Sequence, residues 1–427
     1  MNAKIIPIIT LFSLLVLLNT SCEDSTYKEY NANAAIYITY NELRESVSEA
    51  ENIDLENPGK IYFKDGYIFI IEELKGVHVF DNSNPAAPEK KVFVNIPGII
   101  DMAISGNTMF VDSYIDLVIL DVQDIENITE IGRVKDILNY TIPKTGNKLP
   151  IGKVDIEKGV VIGWEVKTIK ERVQENPVVY PFYSTSKESV NGAFDNMAGG
   201  GVSGSGVGVG GSMARFGIKE DILYVLDGNN LDVLDIKVKS TPGKLFEINP
   251  GWGIETMFLT QDNMFLGTTT GMIIYDITNP GNPVRKSTYN HMRSCDPVVV
   301  DDTLAYITLR SGTDCGSSVN CLDVVSIKNL SHPEIIISYP MTNPHGLGKD
   351  GDLLFVCDGT AGLKIYDAAD PKFISSHLVY SYPDIKAYDV IPLGDVLVMV
   401  GDDGLYQYDY SNIQNISLLS KIEVKKE

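Results

Sequence analysis

Six polar residues recur at one place in a repeating sequence pattern, and their types suit the binding of cations or polar ligands. Each stands at the start of the first strand that we predict for its repeat unit, and they are Asp101, Arg215, Glu255, Asp296, His345 and Asp389. Clustered carboxylates suit Ca²⁺ or Mg²⁺, and an added imidazole suits transition metals. In a ring of units these side chains would face a central channel, which predicts a ligand site at its mouth. The two other units offer only Ile61 and the region of Pro150 at this position.

Two other interpretations of these residues stay open. Polar groups that line a channel often serve only to satisfy neighbouring turn amides and water. Alternatively, two carboxylates from Asp101, Glu255, Asp296 and Asp389 could act as acid and base on a glycosidic bond. The sequence has no H-x-x-x-H pair, G-x-S-x-G elbow or H-E-x-x-H helix, so we assign no catalytic residue.

Short apolar segments that mostly end in Asp must supply the strands that position these residues. They are Gly76–Asp81, Asp116–Asp121, Asn230–Asp235, Gly271–Asp276, Cys321–Ser326, Gly362–Asp367 and Gly404–Asp409. Apolar residues alternate within each segment, which predicts half-buried strands, and another strand precedes each one. The terminal Asp is placed to cap the turn that follows it.

The spacing of these segments predicts the number of units. One long gap, between Asp121 and Asp235, has room for another unit, and Val160–Thr168 supplies a degenerate copy there. We therefore predict eight units, with seven as the alternative. Four short antiparallel strands per unit can bury their faces by stacking in a closed ring, which predicts an all-β propeller over residues 59–423. An open β-solenoid is the alternative, although its repeats are normally shorter.

The first 21 residues are typical of a cleaved leader. Lys4 precedes the apolar run Ile5–Leu18, which has the layout of a secretory signal and is too short to span a bilayer comfortably. Residues 22–58 are expected to form a tether and N-terminal segment. Within it, Ser25–Ala35 is polar without an apolar period and predicts a solvated linker. A Gly-rich insertion at about 186–212 predicts a surface loop.

The end of the leader resembles a known processing motif. Leu18-Asn19-Thr20-Ser21-Cys22 is similar to the lipobox of bacterial lipoproteins, which implies that Cys22 is acylated with palmitate-like chains and becomes the first residue. Several acyl chains hold a protein firmly on a membrane, whereas one chain binds only marginally. Glu23-Asp24 is similar to acidic export tags of Bacteroidetes lipoproteins. The resemblance implies an outer-membrane protein that is lipid-anchored and displayed on the cell surface.

The repeat also resembles a known family. The segments LVILD, LDVLD and GLKIYD, followed by turns with Asn or Asp before Pro, look like the LVIVD repeat of secreted and surface β-propeller proteins of bacteria. Arg293–Thr303, Asn343–Gly348 and Gly401–Asn412 further resemble a Bacteroidetes lipoprotein subgroup that carries this repeat. The family implies a fold and a surface location, but it has no assigned chemistry to carry over.

Charge and cysteine content restrict the remaining possibilities. With 57 acidic and 35 basic residues the formal charge is −22, so the chain should repel nucleic acids. Cys315 and Cys321 lie six residues apart in a Gly/Ser-rich stretch and could form a disulfide in an oxidising compartment. The remaining cysteines, Cys295 and Cys357, are expected to be buried thiols.

These observations predict a non-enzymatic surface lipoprotein whose propeller is a scaffold for ligand binding or protein interaction. The expected partners are the membrane, through the lipid anchor, and an outer-membrane protein complex or an extracellular glycan or peptide. No cofactor is expected apart from a divalent cation at the channel mouth. The alternative function is a glycan-acting hydrolase or lyase that uses the mouth carboxylates. A third is an assembly accessory without a small ligand.

Overall fold

Six four-stranded antiparallel sheets and one six-stranded sheet, which has a four-stranded core, contain most of the described strands of this protein. The computed structural model describes residues 27–50, 53–172, 180–182, 209–210, 214–251, 253–290, 297–311 and 319–425. From the second sheet to the seventh, the first strands of neighbouring sheets contact one another, so the first strand of each sheet lies nearest a common axis. The fold is therefore an all-β propeller, which confirms the predicted fold class.

The chain enters the ring after a short N-terminal region. This region contains β1 (Tyr27–Ile38), the helix α1 (Tyr40–Glu45) and β2 (Ser48–Ala50). Blade 1 comprises β3 (Pro58–Lys64), β4 (Tyr67–Glu72), β5 (Gly76–Asp81) and β6 (Glu89–Asn95). Blade 2 comprises β7 (Met102–Ser105), β8 (Thr108–Ser113), β9 (Asp116–Asp121) and β10 (Thr129–Val134). A long excursion then contains a 3₁₀ turn (Ile156–Lys158), β11 (Val160–Arg172) and β12 (Val209–Gly210).

The remaining five blades follow without a comparable excursion. Blade 3 comprises β13 (Phe216–Lys219), β14 (Ile222–Asp227), β15 (Asn230–Asp235) and β16 (Gly243–Ile248). Blade 4 comprises β17 (Ile254–Leu259), β18 (Asn263–Thr268), β19 (Gly271–Asp276) and β20 (Val284–Asn290). Blade 5 comprises β21 (Val298–Asp301), β22 (Leu304–Leu309), β23 (Cys321–Ser326) and β24 (Glu334–Pro340).

Blades 6 and 7 complete the ring. Blade 6 comprises β25 (Leu347–Asp350), β26 (Leu353–Cys357), β27 (Leu363–Asp367) and β28 (Leu378–Tyr382), with a 3₁₀ turn (Ile374–Ser376) before the last strand. Blade 7 comprises β29 (Ala387–Pro392), β30 (Val396–Gly401), β31 (Gly404–Asp409) and β32 (Ser417–Glu423).

The described residues form seven blades, which is the alternative number that the repeat allowed. Val160–Thr168, which we predicted to be a degenerate eighth unit, lies in β11 and pairs with β1 in a separate two-stranded sheet. The expectation of a solvated linker at Ser25–Ala35 is also wrong from Tyr27 onward. Pairing with β11 gives this polar segment a hydrogen-bonded partner far away in the sequence, which its own composition could not reveal.

The short elements around the ring extend blade 1 on both of its edges. Ser48–Ala50 adds an outer strand by pairing with β6, and Val209–Gly210 pairs with the innermost strand β3. Apart from Val209 and Gly210, the predicted Gly-rich insertion at about 186–212 lies outside the described residues. In the described part of the chain, no helix is long and apolar enough to cross a membrane.

The aspartates at the ends of the third strands cap the turns that follow, as the sequence predicts. In blades 1, 2 and 3 the Oδ1 atoms of Asp81, Asp121 and Asp235 each accept the amide two residues later at 2.9 Å. A short acidic side chain can bond the backbone two residues on, and it thereby fixes the turn. This capping explains why Asp recurs at the end of the signature segment.

Side-chain packing closes the ring, because each blade is built from its own consecutive strands. Ile61, Ile68 and Ile70 of blade 1 pack with Ile391 and Val398 of blade 7 in one buried cluster. Polar contacts accompany this packing. The side-chain amides of Asn82 and Gln407 exchange two hydrogen bonds of 2.9 and 2.7 Å, and the amide of Lys425 donates to the carbonyl of Leu55 at 2.8 Å.

Candidate functional site at the channel mouth

The predicted polar residues lie where the first strands begin, and we call this end of the axis the channel mouth. Asp101 and Arg215 directly precede β7 and β13, Glu255 and Asp389 lie within β17 and β29, and His345 lies two residues before β25. Asp296 lies outside the described residues. The repeat therefore located the start of the first strands correctly in blades 2, 3, 4, 6 and 7.

Blade 1 contributes Lys60 to the channel mouth, and the prediction of Ile61 for this position is wrong. Ile61 is fully buried in the apolar cluster that closes the ring. The pairing of β3 with β4 shifts register between Pro58 and Ile61, so counting back from the signature Asp gives the wrong residue. The region of Pro150 is also wrong, because it belongs to no blade and pairs with β1 through Asn33.

Asp101 connects three blades. Its Oδ2 atom accepts a hydrogen bond from the ammonium of Lys60 in blade 1 at 2.8 Å. The same atom accepts the backbone amides of Arg215 and Phe216, which lead into blade 3. Its Oδ1 atom accepts the amide of Met102 in its own blade at 2.8 Å. Asp101 is 0% exposed and Lys60 is 4% exposed, so the ion pair is shielded from water.

Other carboxyl groups at the mouth are buried near this pair. Burial raises the pKa of Asp112 to about 6, although its Oδ1 atom accepts the amides of Ile100 and Asp101. Burial also raises the pKa of Asp389 well above its ordinary value, and the charge of Lys60 opposes this shift only in part. The pKa of Lys60 is lowered by burial against the attraction of Asp101. A low-polarity environment disfavours each charged form in this way.

His345 is held as a neutral hydrogen-bond acceptor. The Nη1 atom of Arg310 lies 2.6 Å from its Nδ1 atom, and the ring of Tyr388 packs against it edge-on at 5.3 Å. Burial, together with the charge of Arg310, lowers the pKa of His345 well below its ordinary value. Its main-chain carbonyl also accepts the hydroxyl of Thr308 at 2.7 Å. A histidine this enclosed cannot reach a substrate or a solvent-borne metal.

Four further acids, which we did not predict from the sequence, bind the chain segments that precede the first strands. Each lies at or next to the end of the second strand of its blade and accepts main-chain amides of residues that precede the first strand of that blade in the sequence, and they are Glu72, Asp112, Asp227 and Asp358. The signal was present, because an acid stands at or near the end of several of the predicted second strands. These acids have a structural role, since buried amides require acceptors.

Arg215 differs from the buried acids in its exposure and in its bonding among the described residues. Its side chain is only partly buried, and it makes no hydrogen bond or ion pair with any other described residue. Its charge lowers the pKa of Asp112 and of Asp227, which places it near both carboxyls. Glu255 is also partly buried. A planar guanidinium suits bidentate binding of a carboxylate or a similar anion.

The described residues contain no group of three or more His, Cys, Asp or Glu side chains that could hold a metal ion. The carboxylate of Asp101 already binds the ammonium of Lys60. Of the predicted disulfide, Cys321 is buried at the start of β23, and Cys315 lies outside the described residues, as does the lipidation residue Cys22.

Comparisons with known proteins agree with the repeat and with the fold. Residues 210–249 and 265–291, which span blade 3 and most of blade 4, match the family described as LVIVD repeat. Among curated proteins, none matches this chain significantly.

Two of the similar solved structures reach a TM-score of 0.50 and show the same fold at low sequence identity. The computationally designed protein Ika8 has a TM-score of 0.50 at 7% identity, over 88% of this chain and 90% of its own. Sqt1 of Saccharomyces cerevisiae has a TM-score of 0.50 at 6% identity, over 87% of each chain. BamB from Moraxella catarrhalis has a TM-score of 0.44 at 11% identity, over 89% of this chain and 92% of its own.

Proposed function

We propose that this LVIVD-repeat propeller is a membrane-anchored, non-enzymatic interaction scaffold that binds an acidic group of its partner through Arg215. The observation that carries the proposal is the contrast at the channel mouth. Asp101 and His345 are buried and bonded to neighbouring blades, whereas the guanidinium of Arg215 is partly accessible and engages no other described residue. The ring fixes the position of Arg215, and a rigid position reduces the entropy lost on binding.

The alternative of a glycan-acting hydrolase or lyase receives little support from this geometry. Catalytic carboxyls must lie on both sides of a glycosidic bond and must contact it. Asp101 and Asp389 are both 0% exposed, and Asp101 already accepts hydrogen bonds from Lys60 and from backbone amides. A sugar could reach them only after the blades separated.

The anchoring part of the proposal rests on the sequence. A short apolar leader ends at Cys22 in a lipobox-like motif, and Glu23-Asp24 follows directly. We propose that acylation of Cys22 attaches the protein to the outer membrane and that the acidic pair directs it to the cell surface, as in lipoproteins of the Bacteroidetes type. Attachment through several acyl chains would be stable without a membrane-spanning segment.

Site-specific photo-crosslinking of the full chain in its native host tests the interaction. A photoreactive amino acid replaces the exposed Thr270, in the turn between β18 and β19 at the mouth end. We expect a discrete cross-linked species that Arg215→Gln abolishes. The matched control places the same probe at the exposed Lys237, at the opposite end of blade 3, and should give no such species. Equal cross-linking from both ends, or cross-linking that Arg215→Gln leaves unchanged, would contradict the proposal.

Membrane attachment and surface display are tested separately. Cys22→Ser should move the protein from the membrane fraction to the soluble fraction and abolish labelling by a palmitate analogue. Intact cells treated with an external protease should lose the wild-type protein if it faces outward. Protection from the protease in cells that still carry the labelled lipoprotein would contradict surface display but would leave anchoring intact.

A further inference from the structure

A cavity of about 360 Å³ lies between blades 1 and 2, at the end of the ring opposite the channel mouth. It is open to solvent on one side, and it is lined by the turns after the first strands of both blades, by the turn after β9 and by strand residues of blade 1. Its charged walls are formed by Lys64, Asp65, Asp81, Lys91, Asp124 and Glu126. This cavity is independent of the channel mouth and of the function proposed for Arg215.

At the next two boundaries between blades, the ammonium group of a lysine crosses from one blade to the other. Between blades 2 and 3, the Nζ atom of Lys239 donates to the carbonyl of Ser105 at 2.6 Å. Between blades 3 and 4, the Nζ atom of Lys219 donates to the carbonyls of Gln261 and Ile277, the latter at 3.0 Å. Turn carbonyls at this end of the ring therefore form a binding environment for an alkylammonium group.

The repeat explains why no lysine of blade 2 reaches across the boundary with blade 1. Lys239 lies four residues after Asp235, the last residue of β15, and the equivalent residue after Asp121 at the end of β9 is Ile125. A partly buried isoleucine therefore stands where blade 3 has a long cationic side chain, and it lines the cavity.

Lys64 of blade 1 could cross this boundary, but its ammonium binds a residue of its own blade. Lys64 ends β3 as Lys219 ends β13, but its ammonium bonds the carboxylate of the adjacent Asp65. Gly106 and Val122 of blade 2 line the cavity, and they lie in the turns that correspond to those of Gln261 and Ile277 in blade 4. The turns of blade 4 bind the ammonium of Lys219, whereas the corresponding turns of blade 2 face the cavity.

The charge of the cavity walls favours a cation. Lys64 is paired with Asp65, and the ammonium of Lys91 lies 3.8 Å from Asp81. Asp124 and Glu126 form no ion pair with any other described residue. Two carboxylates therefore remain as excess negative charge, and they would attract an ammonium into the cavity.

We infer that this cavity binds a primary ammonium group on an alkyl stem, in the place that the ammonium of Lys219 takes at the boundary between blades 3 and 4. Carbonyls of the blade 2 turn and the carboxylates of Asp124 and Glu126 hold the ammonium, and Ile125 packs against the stem. The same chemistry is carried by a free alkylamine and by a lysine side chain of a partner protein.

Ligand-detected NMR titration of the purified full chain tests the inference with two probes. One is n-butylammonium, and the other is Nα-acetyl-lysine methylamide; the neutral Nα-acetyl-norleucine methylamide serves as the ligand control. We expect a dissociation constant of about 1 mM for the ammonium probes, which corresponds to a contact of this size. Tighter binding of the lysine probe identifies a partner's side chain, and equal binding of both identifies a free amine.

Three variants locate the binding. Ile125→Lys should abolish it, because the introduced side chain fills the cavity as Lys239 does at the adjacent boundary. Asp124→Asn combined with Glu126→Gln, which changes only exposed groups, should weaken it at least about fivefold. Ile413→Lys is the matched control, because Ile413 is 44% exposed and lies four residues after Asp409 in blade 7.

Each outcome of these titrations either supports the ammonium site or overturns it. Loss of binding in Ile125→Lys, weakening in the double variant and no change in Ile413→Lys support the site. No binding of either ammonium probe, equal binding of the norleucine probe, or unchanged binding in the double variant overturns it. A thermal melt of each variant confirms that the ring is intact, and the double variant remains decisive if Ile125→Lys destabilises the blade.

Discussion

The two sides of the channel mouth use the same repeat position in different ways. On the side of blades 1 to 3, Asp101 forms a buried ion pair with Lys60 and accepts amides of blade 3. On the side of blades 5 to 7, His345 accepts a hydrogen bond from Arg310 and packs against Tyr388. One side joins its blades with two opposite charges, and the other joins them with one charge and a neutral acceptor.

The difference shows that a shared position does not imply a shared ligand. Asp101 and His345 both look like site residues in the sequence. Inside the ring, however, each accepts a hydrogen bond from a cationic side chain of a neighbouring blade. A buried charge is costly unless a partner lies close to it. The residue types at the mouth therefore reflect which cation the adjacent element buries, and among the described mouth residues the partly exposed Arg215 is the one that we propose for recognition.

Removal of Lys60 should give the largest effect on stability. In Lys60→Met the carboxylate of Asp101 keeps its amides but loses its buried counter-charge, and we expect the free energy of unfolding to fall by about 3–5 kcal/mol. Urea denaturation monitored by tryptophan fluorescence measures this change. Lys425→Met is the matched control, since Lys425 forms an exposed pair with Asp54 and should leave stability unchanged. Equal stability of both variants would show that the Lys60 pair contributes nothing.

Removal of the neutral acceptor on the other side should cost less. His345→Leu deprives the Nη1 atom of Arg310 of a buried acceptor, and we expect a loss of about 1–3 kcal/mol. The same denaturation measurement applies, with the exposed His332→Leu as its control. If His345→Leu proved more damaging than Lys60→Met, the order of importance that we assign to the two sides would be reversed.

Acidification should change the free energy of unfolding in opposite directions through His345 on one side and Asp112 on the other. The folded-state pKa of His345 lies below its ordinary value of 6.5, so the unfolded chain takes up a proton first and stability falls as the pH drops below about 6.5. The pKa of Asp112 is raised to about 6, so the folded chain takes up that proton first and stability rises between about pH 6 and 4. Melting temperatures at pH 7.5 and 5.0 should therefore fall less in His345→Leu and more in Asp112→Asn than in the wild type. Parallel pH profiles for both variants would contradict these assignments.

Arg215 should have the smallest effect on stability. Its backbone amide bonds Asp101, but its guanidinium engages no other described residue, so Arg215→Gln should change the free energy of unfolding by less than about 0.5 kcal/mol. The same variant should lose the cross-linked partner. A loss of stability as large as that of Lys60→Met would place Arg215 among the structural residues of the ring.

Much of the ring could be predicted from the sequence because its signals are local. The alternating third strands and their capping aspartates depend on neighbours within a few residues, and Asp81, Asp121 and Asp235 cap their turns as predicted. The blade number was harder, because β11 has the alternation of a blade strand but pairs with β1 across a long sequence distance. Pairing partners of that kind leave little trace in local composition.

The site was predicted less completely, because its residues depend on contacts between blades. Counting back from the signature aspartates identified Asp101, His345 and Asp389. It could not show that Lys60 already neutralises Asp101 or that Arg310 already donates to His345. A one-residue irregularity in β3 placed Lys60, not Ile61, at the mouth. Burial and register across blades, which decide whether a carboxylate is free for a ligand, are properties of the assembled ring.

A double-mutant cycle on Lys60 and Asp101 tests most directly whether the buried acids of the mouth join the blades. The free energy of unfolding is measured for wild type, Lys60→Met, Asp101→Asn and the combined variant. We predict a coupling energy of about 1–3 kcal/mol, with the second substitution costing much less once the first is present. A coupling energy near zero would contradict the account, and it would return Asp101 to the set of residues available for a ligand.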